Sequence, residues 1–226
     1  IQEPDCLNPF ACSSHYWFIE MVYDTLTDVG TDCDLVPRSA ESMELSEDGL
    51  TWTLKLREGA SFSDGKPFDA YALEDFYDWF MSTELSQWYQ GTMRAESWKA
   101  VDEHTLEFTT VEPVPTLPWY DGLWLWPLPA HIWEEFDDET VFGFDNYPPI
   151  GSGPYVMTEW VPGQHLIYDA REDYWAGPLP IDRIVIQTYS NWDSLVQALL
   201  AGEIDVTDGP LPPQFYDALE AAPNIT

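Results

Sequence analysis

Residues 48–70 read DGLTWTLKLREGASFSDGKPFDA, and the first half of that stretch decides the fold class. Asp48-Gly49 is a turn pair, and behind it Leu50, Trp52, Leu54 and Leu56 alternate with Thr51, Thr53 and Lys55. A period of two puts the four apolar side chains on one face, so the spacing predicts a hairpin strand buried on one side and wet on the other. Asp69 is placed to cap a helix, because Leu73, Phe76, Tyr77 and Phe80 follow it at helical spacing. A hairpin running into an amphipathic helix points to a mixed α/β chain, with α+β character, and not to an all-helical one.

Ile19, Val22, Tyr23 and Leu26 stand at i, i+3, i+4 and i+7 behind Ser13 and Ser14, which predicts an earlier helix. Another starts at Asn191, carries Trp192, Leu195, Val196 and Leu199, and stops at Gly202. Strand pairs are expected on either side of Val101-Asp102-Glu103-His104, ending in Leu106 and Phe108, and on either side of Pro162-Gly163. Arg183 to Tyr189 reads as a buried strand; the helix from Asn191 and a short strand at Ile204-Asp205-Val206 follow it, an order that predicts a parallel βαβ unit. Prolines cluster from Pro113 to Pro129 and from Pro210 to Pro213, which predicts irregular backbone there.

With 226 residues, 45% of them hydrophobic, and 12 Trp, 12 Tyr and 11 Phe, the chain can bury one sizeable core or two modest ones and is far too aromatic for a disordered tail. No run approaches the roughly 18 consecutive apolar residues of a membrane-spanning helix. The 41 Asp and Glu against 8 Lys and Arg leave a net charge of -33, which repels phosphate backbones and excludes nucleic acid as a partner. The acids are spread along the chain, so a solvated shell suited to saline or acidic surroundings explains them better than one ligand-binding block.

Cys6, Cys12 and Cys33 crowd the start of the chain without metal-site spacing. Cys6 with Cys12, across the short loop Leu7-Asn8-Pro9-Phe10-Ala11, is the favoured disulfide, because the helix expected between Cys12 and Cys33 holds those two roughly 20 Å apart at about 1.5 Å per residue. A disulfide implies an exported protein, and since the sequence begins without Met or a signal segment, an export signal is expected to have been removed or left out. His15, His104, His131 and His165 lie far apart, and no P-loop, GxGxxG or HExxH occurs. Gly151-Ser152-Gly153-Pro154 imitates a nucleophile elbow only superficially. No catalytic residue, metal or cofactor is therefore expected. The acid pairs Glu134-Glu135 and Asp137-Asp138 are weak candidates for cleaving a glycan in a chain with 41 acids. Aromatic stretches remain: Tyr16-Trp17-Phe18, Trp88-Tyr89, Trp119-Tyr120, and Trp124 with Trp126 beside Pro127. Core packing is the commoner fate of such residues, and a stacking wall is the functional one, for which Trp124 and Trp126 are the first choice.

The stretch from Asp48 to Ala70 resembles the hallmark of the family 5 extracellular solute-binding proteins, the peptide, oligopeptide and nickel receptors of ABC importers. The resemblance continues through Tyr23-Asp24-Thr25-Leu26, Gly151-Ser152-Gly153-Pro154-Tyr155, Asp173-Tyr174-Trp175 and Leu199-Leu200-Ala201-Gly202-Glu203-Ile204-Asp205-Val206, in the family's order. Ser63 departs from the family's frequent His, and Ser39 from its usual Leu. The resemblance implies one lobe of a periplasmic-binding-protein-like clamshell, with a mixed sheet core plus an extra hairpin and helix subdomain, and with the second lobe outside this sequence. On that expectation, residues 1–42 and 150–226 form the core of lobe I and residues 43–149 its hairpin-rich part and extra subdomain.

It also implies ligand contacts at Ser13, Ser14, His15 and Tyr16 before the first helix, at Trp88 or Tyr89, and at Asp208 and Gly209 after the Gly-Glu-Ile-Asp stretch. The implied role is capture of peptides or oligopeptides outside the cytoplasmic membrane and delivery to ABC permease subunits, in the periplasm or outside the cell, with membrane contact only through an N-terminal lipid anchor beyond this sequence. An oligosaccharide receptor of the same fold, using Trp124 and Trp126, is the alternative, and a glycan-cleaving enzyme is a distant third.

The charge makes its own prediction. Raising NaCl from about 0.01 M to about 1 M shortens the screening length from roughly 30 Å to roughly 3 Å, so self-repulsion among the carboxylates should fall and the melting temperature should climb. KCl should act alike. A melting curve that ignores salt would show that the acids are already balanced.

Overall fold

The computed structural model describes residues 4–12, 17–88, 94–223 and 225. Three antiparallel sheets organise it. The hairpin of β1 (Thr27–Val29) and β2 (Leu35–Pro37) is the smallest. A four-stranded sheet runs in the order β3-β4-β6-β5, from β3 (Ala40–Leu45), β4 (Thr51–Leu56), β5 (Ala95–Asp102) and β6 (Thr105–Thr110). The third sheet joins β7 (Tyr155–Val161), β8 (His165–Ala170) and β9 (Arg183–Gln187).

The period of two in β4 is realised: Trp52, Leu54 and Leu56 are buried, and Leu54 faces Leu106 of β6. α-Helices number six among the described residues: α1 (Trp17–Glu20), α2 (Ala70–Met81), α3 (Leu117–Trp124), α4 (Ala130–Trp133), α5 (Trp192–Ala201) and α6 (Tyr216–Glu220). Asp69 caps α2 by accepting from the Ala72 N–H at 2.8 Å. The helix then lays Tyr77 flat on Trp98 of β5, with ring centroids 3.5 Å apart, and Trp98 stacks in turn on Phe108 of β6. Asn191 caps α5, and Gly202 closes it at a φ of 70°, where a side chain would be strained.

Three expectations are corrected. The first helix lasts one turn. Val22 and Tyr23 still bond back to the Ile19 carbonyl, but the carbonyls of Met21 and Val22 accept from Tyr155 and Gly153 instead of extending the helix. The helical spacing of Ile19, Val22, Tyr23 and Leu26 thus marks a buried turn entering β1. The parallel βαβ unit does not form: every strand pairing among the described residues is antiparallel, and Ile204-Asp205-Val206 is unpaired coil with Val206 exposed. Alternation alone does not make a strand when no neighbouring edge lies within hydrogen-bonding reach. The proline-rich segment from Pro113 contains α3, because Pro118 falls in the first turn, where its missing N–H costs nothing.

Cys6 and Cys12 are joined in a disulfide and Cys33 is a free thiol in the exposed β1–β2 turn. The segment Gly151-Ser152-Gly153 crosses directly over Val22 and Tyr23, and the Gly153 N–H donates to the Val22 carbonyl at 2.7 Å. A Cβ on Gly151 would run into the Val22 carbonyl oxygen and the Tyr23 ring. Gly151→Ala should therefore cost about 2–3 kcal/mol or more in denaturant unfolding, whereas Gly143→Ala, whose Cβ meets nothing within 4 Å, should stay within about 0.5 kcal/mol.

Candidate functional site

The short segment around α1 borders two cavities. The larger, about 720 Å³, runs beside β9: Ile184 and Ile186 form one side, Phe18 and Met21 a second, and the loop from Glu203 to Asp208 a third. The smaller, about 220 Å³, lies on the other side of the segment. Glu20, Tyr23 and Thr25 line it from the chain around α1, Asp28, Val29 and Arg38 from the β1–β2 hairpin, and Leu123, Trp124 and Trp126 from α3 and its exit.

Short-range packing holds α3 in place. Thr27 Oγ1 donates to the Pro118 carbonyl at 2.7 Å, and a Cβ on Gly122 would sit 2.8 Å from Thr27 Oγ1, so the helix lies directly against β1. Trp124 closes α3 with its ring 55% exposed, while Trp126, two residues on, is 6% exposed. Of this pair only Trp124 offers a free face, and Trp126 serves as wall.

Beneath the cavity Asp24 is fully buried and saturated with donors. Arg38 Nε reaches it at 2.5 Å, the Tyr174 hydroxyl at 2.9 Å and Trp175 Nε1 at 2.8 Å. The other arm of Arg38 donates to Asp28 at 2.7 Å. Burial alone would lower the Arg38 pKa, but Asp24 and then Asp28 more than offset it and hold the guanidinium above its ordinary value. Tyr23 is buried with its oxygen accepting from Asn146 Nδ2 at 2.9 Å; loss of water pushes the phenol up, and that hydrogen bond pulls part of the way back. At the open rim, Glu20 is pushed up by desolvation, against the pull of Arg38 and with the push of Asp28.

Of the residues expected from sequence, the structure places Trp124 and Trp126 at the smaller cavity and Asp208 at the larger. Gly209 accepts from Thr207 Oγ1 at 3.2 Å and lines neither. Ser13, Ser14, His15, Tyr16 and Tyr89 lie outside the described residues. Trp88 is exposed, packs its ring 5.9 Å from that of Phe142, and borders neither cavity. Glu20, Asp28 and Arg38 were not singled out, because their signal is tertiary: Arg38 matters only once Asp24 and Asp28 close on it.

The Asp137-Asp138 pair has local duties, Asp137 accepting from the Thr140 N–H and hydroxyl, and Asp138 from the Glu84 N–H at 2.7 Å. Among the described residues, one trio of metal-type side chains converges, Asp5 with Cys6 and Cys12, and its two sulfurs are committed to the disulfide.

Comparison with known proteins adds the wider setting. The bacterial extracellular solute-binding proteins, family 5 Middle, match residues 34–226. The nickel-binding periplasmic protein of Escherichia coli (strain K12) is 30% identical over 208 residues, covering 90% of this chain and 39% of that protein. Protein XP55 of Streptomyces lividans is 30% identical over 225 residues, covering 96% of this chain and 39% of its own. Among solved structures, NikA from Brucella suis in complex with Fe(III)-EDTA superposes with a TM-score of 0.76 at 27% identity, over 96% of this chain and 44% of that one. The oligopeptide-binding protein AppA from Bacillus subtilis, in complex with a nonapeptide, gives a TM-score of 0.84 at 22% identity, over 99% and 45%, a likeness of fold alone. The chain spans 39% of the length of the first two relatives.

The two tryptophans should separate cleanly by substitution. Trp126→Ala should lose about 3–5 kcal/mol in urea unfolding, as a buried aromatic does, while Trp124→Ala should lose less than about 1 kcal/mol. Equal losses would place Trp124 in the core.

Proposed function

This chain belongs to the family 5 bacterial extracellular solute-binding proteins, and we propose that it forms the solute-contacting part of a receptor that captures peptides or oligopeptides and delivers them to the permease of an ABC importer. Family membership places the protein in the periplasm or the extracellular space, among binding proteins and not enzymes.

The observation that carries the proposal is the smaller cavity. At about 220 Å³ it falls below the roughly 300–1,000 Å³ of a complete small-molecule pocket, so it suits one side chain of a longer solute. Exposed Trp124 lies in its lining, with the polar groups of Glu20, Asp28 and Arg38 around it. An extended peptide would place successive side chains in such subsites while the rest of the protein holds its backbone. The nonapeptide bound by AppA and the Fe(III)-EDTA bound by NikA mark the range of solutes this fold accepts.

A sugar is the second reading, favoured by the free ring of Trp124, on which a pyranose could stack. It loses the second platform expected at Trp126, which is buried.

Isothermal titration of the full-length protein against di- to pentapeptides and against maltooligosaccharides separates the two. Peptides should bind, and Trp124→Ala should weaken them about tenfold, or about 1.4 kcal/mol. Sugar binding without peptide binding would reverse the assignment.

A further inference from the structure

The smaller cavity carries an unbalanced charge. Three carboxylates, Glu20, Asp24 and Asp28, stand in or under it against one guanidinium, and that guanidinium is already divided between Asp24 at 2.5 Å and Asp28 at 2.7 Å. An anionic group entering here meets no unspent cation. Glu20 is different from the two aspartates: it accepts no hydrogen bond from any described residue. Its carboxylate stands exposed at the rim, so a cationic group arriving in the cavity meets an acid that no described side chain already holds. Beside it the exposed ring of Trp124 presents a π face, which attracts a cation and gives nothing to an anion.

We infer that this subsite selects a cationic group of the solute, an alkylammonium or guanidinium that pairs with Glu20 and lies against Trp124. The inference rests on reading the cavity as a solute subsite. It does not rest on the net charge of -33, which is spread along the whole chain and singles out no site. What distinguishes Glu20 is its place at the rim of a cavity whose basic residue is spent.

The test uses the full-length protein in about 0.15 M NaCl and four probes: Ala-Lys-Ala, Ala-Leu-Ala, Ala-Glu-Ala and agmatine, a cation without a peptide bond. Ala-Lys-Ala should bind at least about tenfold more tightly than Ala-Leu-Ala, with Ala-Glu-Ala weakest. Glu20→Gln should bring the Lys-to-Leu ratio within about twofold of one. Glu47→Gln, the same charge change in the exposed β3–β4 turn, should leave that ratio as it was. Equal binding of the three peptides, or a Lys preference that survives Glu20→Gln, overturns the inference and leaves peptide capture standing. Silent peptides with agmatine bound in a Glu20-dependent way support the inference and remove peptide capture. Silence toward all four probes overturns both.

Discussion

The buried guanidinium of Arg171 is the interaction on which the remaining architecture depends. Its side chain is 2% exposed, so it has given up nearly all of its water. It recovers that loss by donating to the carbonyls of Ser61, Phe62, Gly151 and Gly153, to the Ser61 hydroxyl, and to Asp173. Those acceptors lie on segments far apart in sequence, the loop after β4, the glycine crossing before β7 and the turn after β8. By fixing Gly151 and Gly153, Arg171 fixes the strand of backbone that presses on Val22 and Tyr23. That contact ends α1 after one turn, sends the chain into β1, and sets Tyr23 and Asp24 where the smaller cavity needs them. A lysine could not take its place, since one ammonium cannot present a planar fork to acceptors in several directions.

Scarcity gives the basic residues their assignments. Among 8 Lys and Arg facing 41 acids, the arginines are held by specific contacts: Arg38 by Asp24 and Asp28, Arg94 by Glu112, Arg171 by Asp173, Arg183 by Asp169. Arg57 donates to the Arg38 carbonyl and lies over the Trp175 ring with its centre 4.6 Å from the centroid. Asp24, Arg38, Arg57 and Trp175 thus form one linked group under the cavity. In a chain of this composition the cations kept inside, Arg38 and Arg171, have structural work.

Local signals were legible in the sequence and distant ones were not. The β4 alternation, the Asp48-Gly49 and Pro162-Gly163 turns, and the caps Asp69, Asn191 and Gly202 each encode their conformation within a few residues, and the structure realises each of them. The spacing from Ile19 to Leu26 misled because the bonds that stop the helix arrive from Gly153 and Tyr155. Ile204-Asp205-Val206 misled because a strand needs an edge to join. At the site, Trp124 and Trp126 were visible as a pair, yet which ring is free depends on where α3 ends. Asp24 belonged to a family stretch, but its partner Trp175 lies 151 residues away.

The wiring beneath the smaller cavity also bears on what binding costs there. Tyr23, Thr25 and Trp126 are buried, the Thr25 hydroxyl donates to the Thr27 carbonyl at 2.7 Å, and Arg38 is clamped by two carboxylates. Those groups have already lost their rotamer freedom in folding. Glu20, Val29 and Trp124 have not, being the exposed members of the lining. Ordering a side chain on binding costs about 0.5–1.5 kcal/mol, so a solute that engages this wall bears that cost for three residues and not nine. Under the proposed assignment, discrimination falls to charge and ring contact at the rim, above a network whose geometry is already fixed in folding.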